Sequence, residues 1–153
     1  MIRLMDVWAE IEAARRGKKL VFTNGVFDVL HAGHVHLLNE ASKLGDLLVV
    51  GLNSDNSVRQ LGKGPERPIN QLEDRMTVVS ALKPVDFVVS FDETTPVALI
   101  QRLKPDVHVK GGDYEVEDLP ETPLVRSYGG TVIVVPMLEG RSSTETLRRL
   151  DRQ

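Results

Sequence analysis

Five short apolar runs, rich in valine, punctuate the chain at residues 20–23, 47–52, 87–91, 107–110 and 132–136. Four are continuously apolar, which predicts parallel strands covered on both faces. The run at 107–110 alternates around His108, which predicts a less buried strand and a structural role for that histidine. Segments with helical spacing lie between the runs. Val35, Leu38, Ala41 and Leu44 form one apolar stripe, and Leu72, Met76, Val79 and Leu82 form another.

Start and stop signals frame these helices. Asn70 with Glu73 and Ser142 with Glu145 read as capping boxes. Thr95-Pro96 and Thr122-Pro123 each set a capping hydroxyl before a proline at the first helical position. Gly45 and Gly129 stand where helices should stop. A further helix is expected at about residues 5–16 and packs on the rest. The alternation predicts one α/β domain over residues 1–153, a doubly wound, Rossmann-like fold with a five-stranded parallel sheet and right-handed crossovers. Such sheets bind ligands beyond the carboxyl ends of their strands, where the strand order reverses.

Composition narrows the function. The 153 residues carry a formal net charge of -3, with no basic stretch, so neither a nucleic acid nor a membrane is expected as partner. The absence of cysteine excludes thiolate catalysis and Cys-ligated zinc and fits a reducing compartment. No apolar run approaches the ~20 residues of a membrane span, and the N-terminus lacks a signal peptide's apolar core. A cytoplasmic protein is expected.

Candidate chemistry concentrates between Thr23 and His34, where the first strand gives way to the first amphipathic helix: TNGVFDVLHAGH. Gly25 permits a tight turn and Gly33 lets a ligand approach the backbone. A helix N-terminus offers free N–H groups to a phosphate. His31 and His34, three residues apart, share one side of the turn, so both imidazoles can donate to one phosphate group. The plainer reading, a pair of polar loop histidines with Asp28 as a turn residue, does not account for the whole cluster. A zinc pair fits less well, because helical metal histidines usually sit at i,i+4 with further ligands. His36 lies off that side and reads as a surface residue. No metal-binding set is expected from the protein alone.

The TNGVFDVLHAGH segment resembles the HxGH signature of the cytidylyltransferase-like nucleotidyltransferases. Three further segments match that superfamily in order: Arg75 within EDRM, the stretch from Lys110 through Gly112 and Asp113 in KGGDY, and Ser142-Ser143-Thr144 opening the last helix. The resemblance extends from about Leu20 to Leu150, and GVFDVLHAGHVHLLNEASKLGD, VGLNSDNSVRQLGKGPERPIN and PDVHVKGGDYEVEDLP look most like the adenylyltransferase half of the bifunctional heptose-phosphate kinase/adenylyltransferases. Arg141 departs from the apolar or aromatic residue often found before the Ser/Thr motif, and no kinase segment is present, which suggests a stand-alone adenylyltransferase.

That resemblance implies transfer of AMP from ATP to a sugar 1-phosphate, D-glycero-D-manno-heptose 1-phosphate above others, with release of pyrophosphate. It implies catalytic roles for His31, His34, Lys63 and Arg75. Nucleotide binding falls to Asn24, Gly25, Phe27, Asp28, Gly33, Lys110, Gly112, Asp113, Ser142, Ser143 and Thr144. Lys63 and Arg67 occupy a polar Gly/Pro loop at 62–68, which reads as solvated surface by itself and as a closing loop given the resemblance. Magnesium is expected with ATP, held in part by Asp28 or Asp113, and a homodimer is expected by analogy. The alternatives are a glycerol-3-phosphate-type cytidylyltransferase, a flavin adenylyltransferase and a non-catalytic nucleotide-binding module. A Walker-type ATPase is disfavoured because no GxxxxGK[ST] segment exists.

Overall fold

The computed structural model describes residues 6–140 and 142–152. Five strands, β1 (Leu20–Gly25), β2 (Leu47–Asn53), β3 (Phe87–Phe91), β4 (Val107–Gly111) and β5 (Thr131–Val135), form one parallel sheet in the order β3-β2-β1-β4-β5. The chain winds outward from β1 to β3, then crosses back to β4 beside β1. The strand order therefore reverses between β1 and β4. The helices are α1 (Val7–Ala14), α2 (Ala32–Ser42), α3 (Asp55–Gln60), α4 (Leu72–Ser80), α5 (Val97–Leu103), α6 (Thr122–Ser127) and α7 (Ser143–Asp151). The helix expected at 5–16 is shorter, and Met5 lies outside the described residues.

Continuous apolar runs are required because neighbouring strand residues bury on opposite faces. Phe22, Val49 and Val89 pack with Ile11, Ile100, Leu103 and Val125 on one side. Val21, Val50 and Val109 pack with Leu37, Leu38, Ala41 and Val79 on the other. The face of α2 differs from the expected stripe: Val35 is exposed, and Leu37 replaces it. β4 is not the less buried strand that its alternation predicted. Val107, His108 and Val109 are all buried, and the His108 ring stacks on Phe22 at 5.6 Å.

Tertiary partners overrode several local caps. Asn70 does not cap α4. The N-cap is Gln71, and the Asn70 amide donates instead to the Asp28 carbonyl. Pro96 is itself the N-cap of α5, and Thr122 lies inside α6, donating its hydroxyl to the Val116 carbonyl. Ser142 behaves as expected, its Oγ accepting from the Glu145 N–H at 3.0 Å. Gly129 follows α6 with a φ of +88°, the left-handed stop that favours glycine. Gly45 is required by space, since a Cβ there would stand 2.8 Å from the Lys19 carbonyl oxygen.

Arg75 ties the carboxyl ends of the sheet together. Its side chain is fully buried. Nη1 donates to the Val26 and Asn53 carbonyls at 3.0 and 2.7 Å, Nε to the Asn70 carbonyl at 2.9 Å, and Nη2 to Asp55 at 2.7 Å. Three donors are thus committed to the backbone just beyond β1, at the end of β2 and on the approach to α4, and a fourth to the Asp55 carboxylate at the start of α3.

Two stability measurements check this description. Arg75→Ala should lower the unfolding free energy in urea by roughly 3–5 kcal/mol, as when a buried ion pair loses one partner. Wild-type stability with lost turnover would instead restore Arg75 to a phosphate-contacting role. His108, its ring nitrogens without hydrogen-bond partners among the described residues, has its pKa pushed down to about 4 by burial and then by Lys110. The unfolded chain therefore takes up that proton first as pH falls from about 6.5, the ordinary histidine value, and stability drops through the window down to 4. His108→Leu should flatten that part of the melting temperature's pH dependence; an unchanged slope would contradict the assignment.

Candidate active site

The junction between β1 and α2 is built around one unusual backbone position. Phe27 has a φ of +50°, outside the range an ordinary side chain prefers. The ring lands over Gly25, where a Cβ would come within 2.9 Å of it, and lies 5.1 Å from the ring of His34. Gly25 therefore makes room for the Phe27 ring.

The two histidines cap α2 and fix one another. The Gly33 N–H donates to His31 Nδ1 at 3.0 Å, and the His31 N–H donates to His34 Nδ1 at 3.3 Å. Their rings stack with centroids 3.9 Å apart. A nitrogen that accepts an N–H carries no proton, so each neutral ring has its hydrogen on Nε2. The pKa of His34 is lowered to about 4 by burial, by His31 and by Lys63, in that order. His34 is therefore a neutral donor at physiological pH. Gly33 serves this arrangement through its N–H, which is committed to His31.

Asp28 is not available as an open metal ligand. Its side chain is completely buried, with Oδ2 accepting from Arg67 Nε at 2.9 Å and from the Ile69 N–H at 2.7 Å, and Oδ1 accepting from the Asn70 N–H at 2.8 Å. The Arg67 side chain is itself 9% exposed, so the solvated-surface reading of that residue was wrong. Its strand-helix position made Asp28 legible as a turn residue, but nothing local named its partners 39 to 42 residues downstream.

These residues surround a cleft of about 270 Å³ at the carboxyl end of β1. Asn24, Gly25, Phe27, Asp28, His31, His34, Lys63, Ser142 and Thr144 line it, together with Arg67 and Met137. Ser143 is the first residue of α7, whose start faces the cleft through its neighbours. The Arg141 departure lies outside the described residues. Lys63 is exposed at the edge of the cleft, and its pKa is lowered by partial desolvation, then by Arg67, with Lys110 acting the same way and Asp28 opposing. A cation held down by neighbouring cations is relieved when an anion enters.

Lys110 and Gly112 stand slightly apart. Lys110 lies 5.3 Å from the Tyr114 ring centroid and lines an adjoining cavity that also contains Asn24 and Lys63. Gly112, at a φ of +132°, is needed because a Cβ would meet the same ring at 2.8 Å. Asp113 is exposed and lines neither cavity. Arg75 does not line the histidine cleft either; its contribution is to hold the backbone that does. Sequence reasoning missed Met137, Asn53, Thr94 and Glu121, which line one cavity or the other without any local motif, and read Thr95 only as a helix cap. Among the described residues, no helix is long and apolar enough to cross a membrane, and no group of three or more His, Cys, Asp or Glu is placed to hold a metal.

Known proteins share this architecture. The chain is 52% identical over 145 residues to the D-beta-D-heptose 1-phosphate adenylyltransferase of Bordetella bronchiseptica, spanning 95% of this chain and 90% of that protein. It is 54% identical over 150 residues to the bifunctional protein HldE of Syntrophotalea carbinolica, 97% of this chain but only 30% of that longer protein. A crystal structure of the lipopolysaccharide core biosynthesis protein of Thermoplasma volcanium superposes with a TM-score of 0.65 at 35% identity, covering 80% of this chain and 98% of that one. Pantoate-beta-alanine ligase of Francisella tularensis, 16% identical with a TM-score of 0.54 over 95% of this chain and 77% of its own, shares the fold. The cytidylyltransferase-like family model matches residues 22–145, from β1 through the histidine pair to the start of α7, and the chain belongs to that family.

Proposed function

We propose that this chain transfers the adenylyl group of ATP to a heptose 1-phosphate, D-glycero-D-manno-heptose 1-phosphate in the β configuration that the Bordetella relative's name specifies. The observation that carries the chemistry is the stacked histidine pair, locked as two Nε2–H tautomers in a cleft it shares with Lys63, Arg67, Ser142 and Thr144. The Bordetella relative's name supplies the identity of the acceptor.

In the reaction a phosphate oxygen of the sugar phosphate attacks the α-phosphorus of ATP. A new P–O bond forms there as the bond to the bridging β-phosphate oxygen breaks, and pyrophosphate leaves. A phosphate monoester has a second pKa of about 6, so the nucleophile is already ionised at neutral pH and needs no base. The difficulty is to bring two anions together and to stabilise charge on the in-line transition state. Lys63 and Arg67 offset that charge, while His34 donates to phosphate oxygens without adding a charge of its own. Ser142 and Thr144 receive the triphosphate at the start of α7. Magnesium enters with ATP as part of the substrate, since the Asp28 oxygens already accept three hydrogen bonds and Asp113 lies away from the cleft. The reaction is placed in the cytoplasm, where ATP is supplied. The homodimer rests on resemblance alone.

His34→Ala should lower turnover roughly 10²–10³-fold with the fold retained by circular dichroism, as for loss of one transition-state donor. Near-normal turnover would remove His34 from the mechanism. The substrate assignment is tested by pyrophosphate release from ATP and magnesium with heptose 1-phosphate, set against CTP with glycerol 3-phosphate. Release in the first pairing alone is expected. Release only in the second would keep the chemistry and overturn the substrate, and silence in both would favour a nucleotide-binding module.

A further inference from the structure

We propose that Glu121, aided by Asn24, reads the hydroxyl groups of the acceptor sugar in a second cavity that opens beside the histidine cleft. This rests on the sugar-phosphate reading above and adds the residues that select the sugar. The cavity, of about 360 Å³, lies beyond the carboxyl ends of β1, β2, β3 and β4 and is lined by Asn24, Asn53, Lys63, Thr95, Lys110 and Glu121 among others. It shares Asn24, Gly25, Val26 and Lys63 with the histidine cleft, so the two spaces adjoin.

Glu121 is the anomaly in this wall. The residue is only 3% exposed, yet Oε2 has no hydrogen-bond partner among the described residues, and its side chain does not cap α6. Asn24 Oδ1 is likewise buried without a partner. Folded proteins pair their buried polar atoms, and an acceptor oxygen deprived of both water and a donor is costly to keep. Two residues that line one cavity thus each carry an orphaned acceptor, which points to a ligand that brings donors. A phosphate cannot supply them, because its ionised oxygens only accept. Sugar hydroxyls can.

The position of Lys63 decides which ligand carries those hydroxyls. Lys63 borders both cavities, the place where the attacking phosphate must meet the α-phosphate. With ATP phosphates in the histidine cleft, an acceptor whose phosphate lies at Lys63 has its sugar ring in the second cavity, against Glu121 and Asn24. The ribose of ATP could offer the same chemistry, so the test separates the two.

Wild-type protein and Glu121→Gln are titrated calorimetrically with D-glycero-β-D-manno-heptose 1-phosphate and, separately, with ATP and magnesium. The variant should bind the sugar phosphate about tenfold more weakly, the loss expected when a charged hydrogen-bond acceptor becomes neutral, with ATP affinity unchanged within about twofold. Its melting temperature should equal or exceed that of the wild type, because an oxygen buried without a donor is replaced by a neutral amide group. Unchanged sugar-phosphate affinity would overturn the proposal. So would weakened ATP affinity in its place, which would assign Glu121 to the ribose. Parallel pyrophosphate assays keep the two readings apart. Wild-type protein that binds the sugar phosphate tightly but releases no pyrophosphate would overturn adenylyl transfer while leaving Glu121 to be judged by its affinities. Wild-type protein that does not bind the sugar phosphate would overturn both.

Discussion

The buried carboxylate of Asp28 is the point on which the geometry of the cleft depends. A charge with no access to water must be met by donors, and here all three come from the segment that precedes α4: the Arg67 guanidinium and the backbone N–H groups of Ile69 and Asn70. That demand draws a polar Gly/Pro loop onto the β1–α2 junction and brings Lys63 to the edge of the cleft. Asn70 then extends the network. Its amide donates to the Asp28 carbonyl while its own carbonyl accepts from Arg75, and Arg75 in turn holds Val26 and Asn53. One connected set of hydrogen bonds thus spans the loop and the ends of the two central strands. Fixed this way, the cations wait in position for the phosphates and need no reorganisation when these arrive.

The electrostatics follow from that crowding. Arg67 and Lys110 disfavour the charge on Lys63, and among the described residues that line the cleft the one carboxylate, Asp28, is already committed. Histidines that stayed protonated would add to the repulsion. The stacked, mutually capped pair avoids this: each ring gives Nδ1 to a backbone donor and keeps its hydrogen on Nε2, and burial holds His34 neutral. The site therefore offers neutral directional donors and positioned cations as separate resources. An acidic chain has brought Lys63, Arg67 and Lys110 to one end of its sheet, where the strand order reverses.

How much of this was legible in the sequence depends on whether a residue's partners are local. The strands were readable because burial on both faces forces continuous apolar runs, and the expected boundaries fall within two residues of those observed. His108 misled because a buried histidine stacked on Phe22 looks, in a pattern of hydropathy, like an outward-facing polar residue. The caps expected at Asn70 and Thr122 failed for the same reason in reverse: each side chain was claimed by a carbonyl elsewhere in the fold. Arg75 could be placed on a helix by its sequence motif. That the Val26 and Asn53 carbonyls converge on it is a property of strand ends brought together by the sheet. The histidine pair was legible since its whole arrangement fits within four residues, although the choice of tautomer required the backbone contacts.

A carboxylate in a site built for anions looks like a contradiction, and its placement resolves it. Lys63 stands where the two cavities join, whereas Glu121 lies in the second cavity alone. A sugar phosphate entering that space meets opposite charges at its two ends. Its dianionic group is drawn to Lys63 and repelled by Glu121, while its hydroxyls are donors that the carboxylate and amide oxygens of Glu121 and Asn24 can accept. The reversed orientation would set phosphate against carboxylate in a poorly solvated pocket, where like charges interact far more strongly than in water. The wall therefore selects a direction as well as a substrate. That direction presents the nucleophilic oxygen to the α-phosphorus, so the charge that is costly in the empty protein is the same charge that aligns the reacting groups.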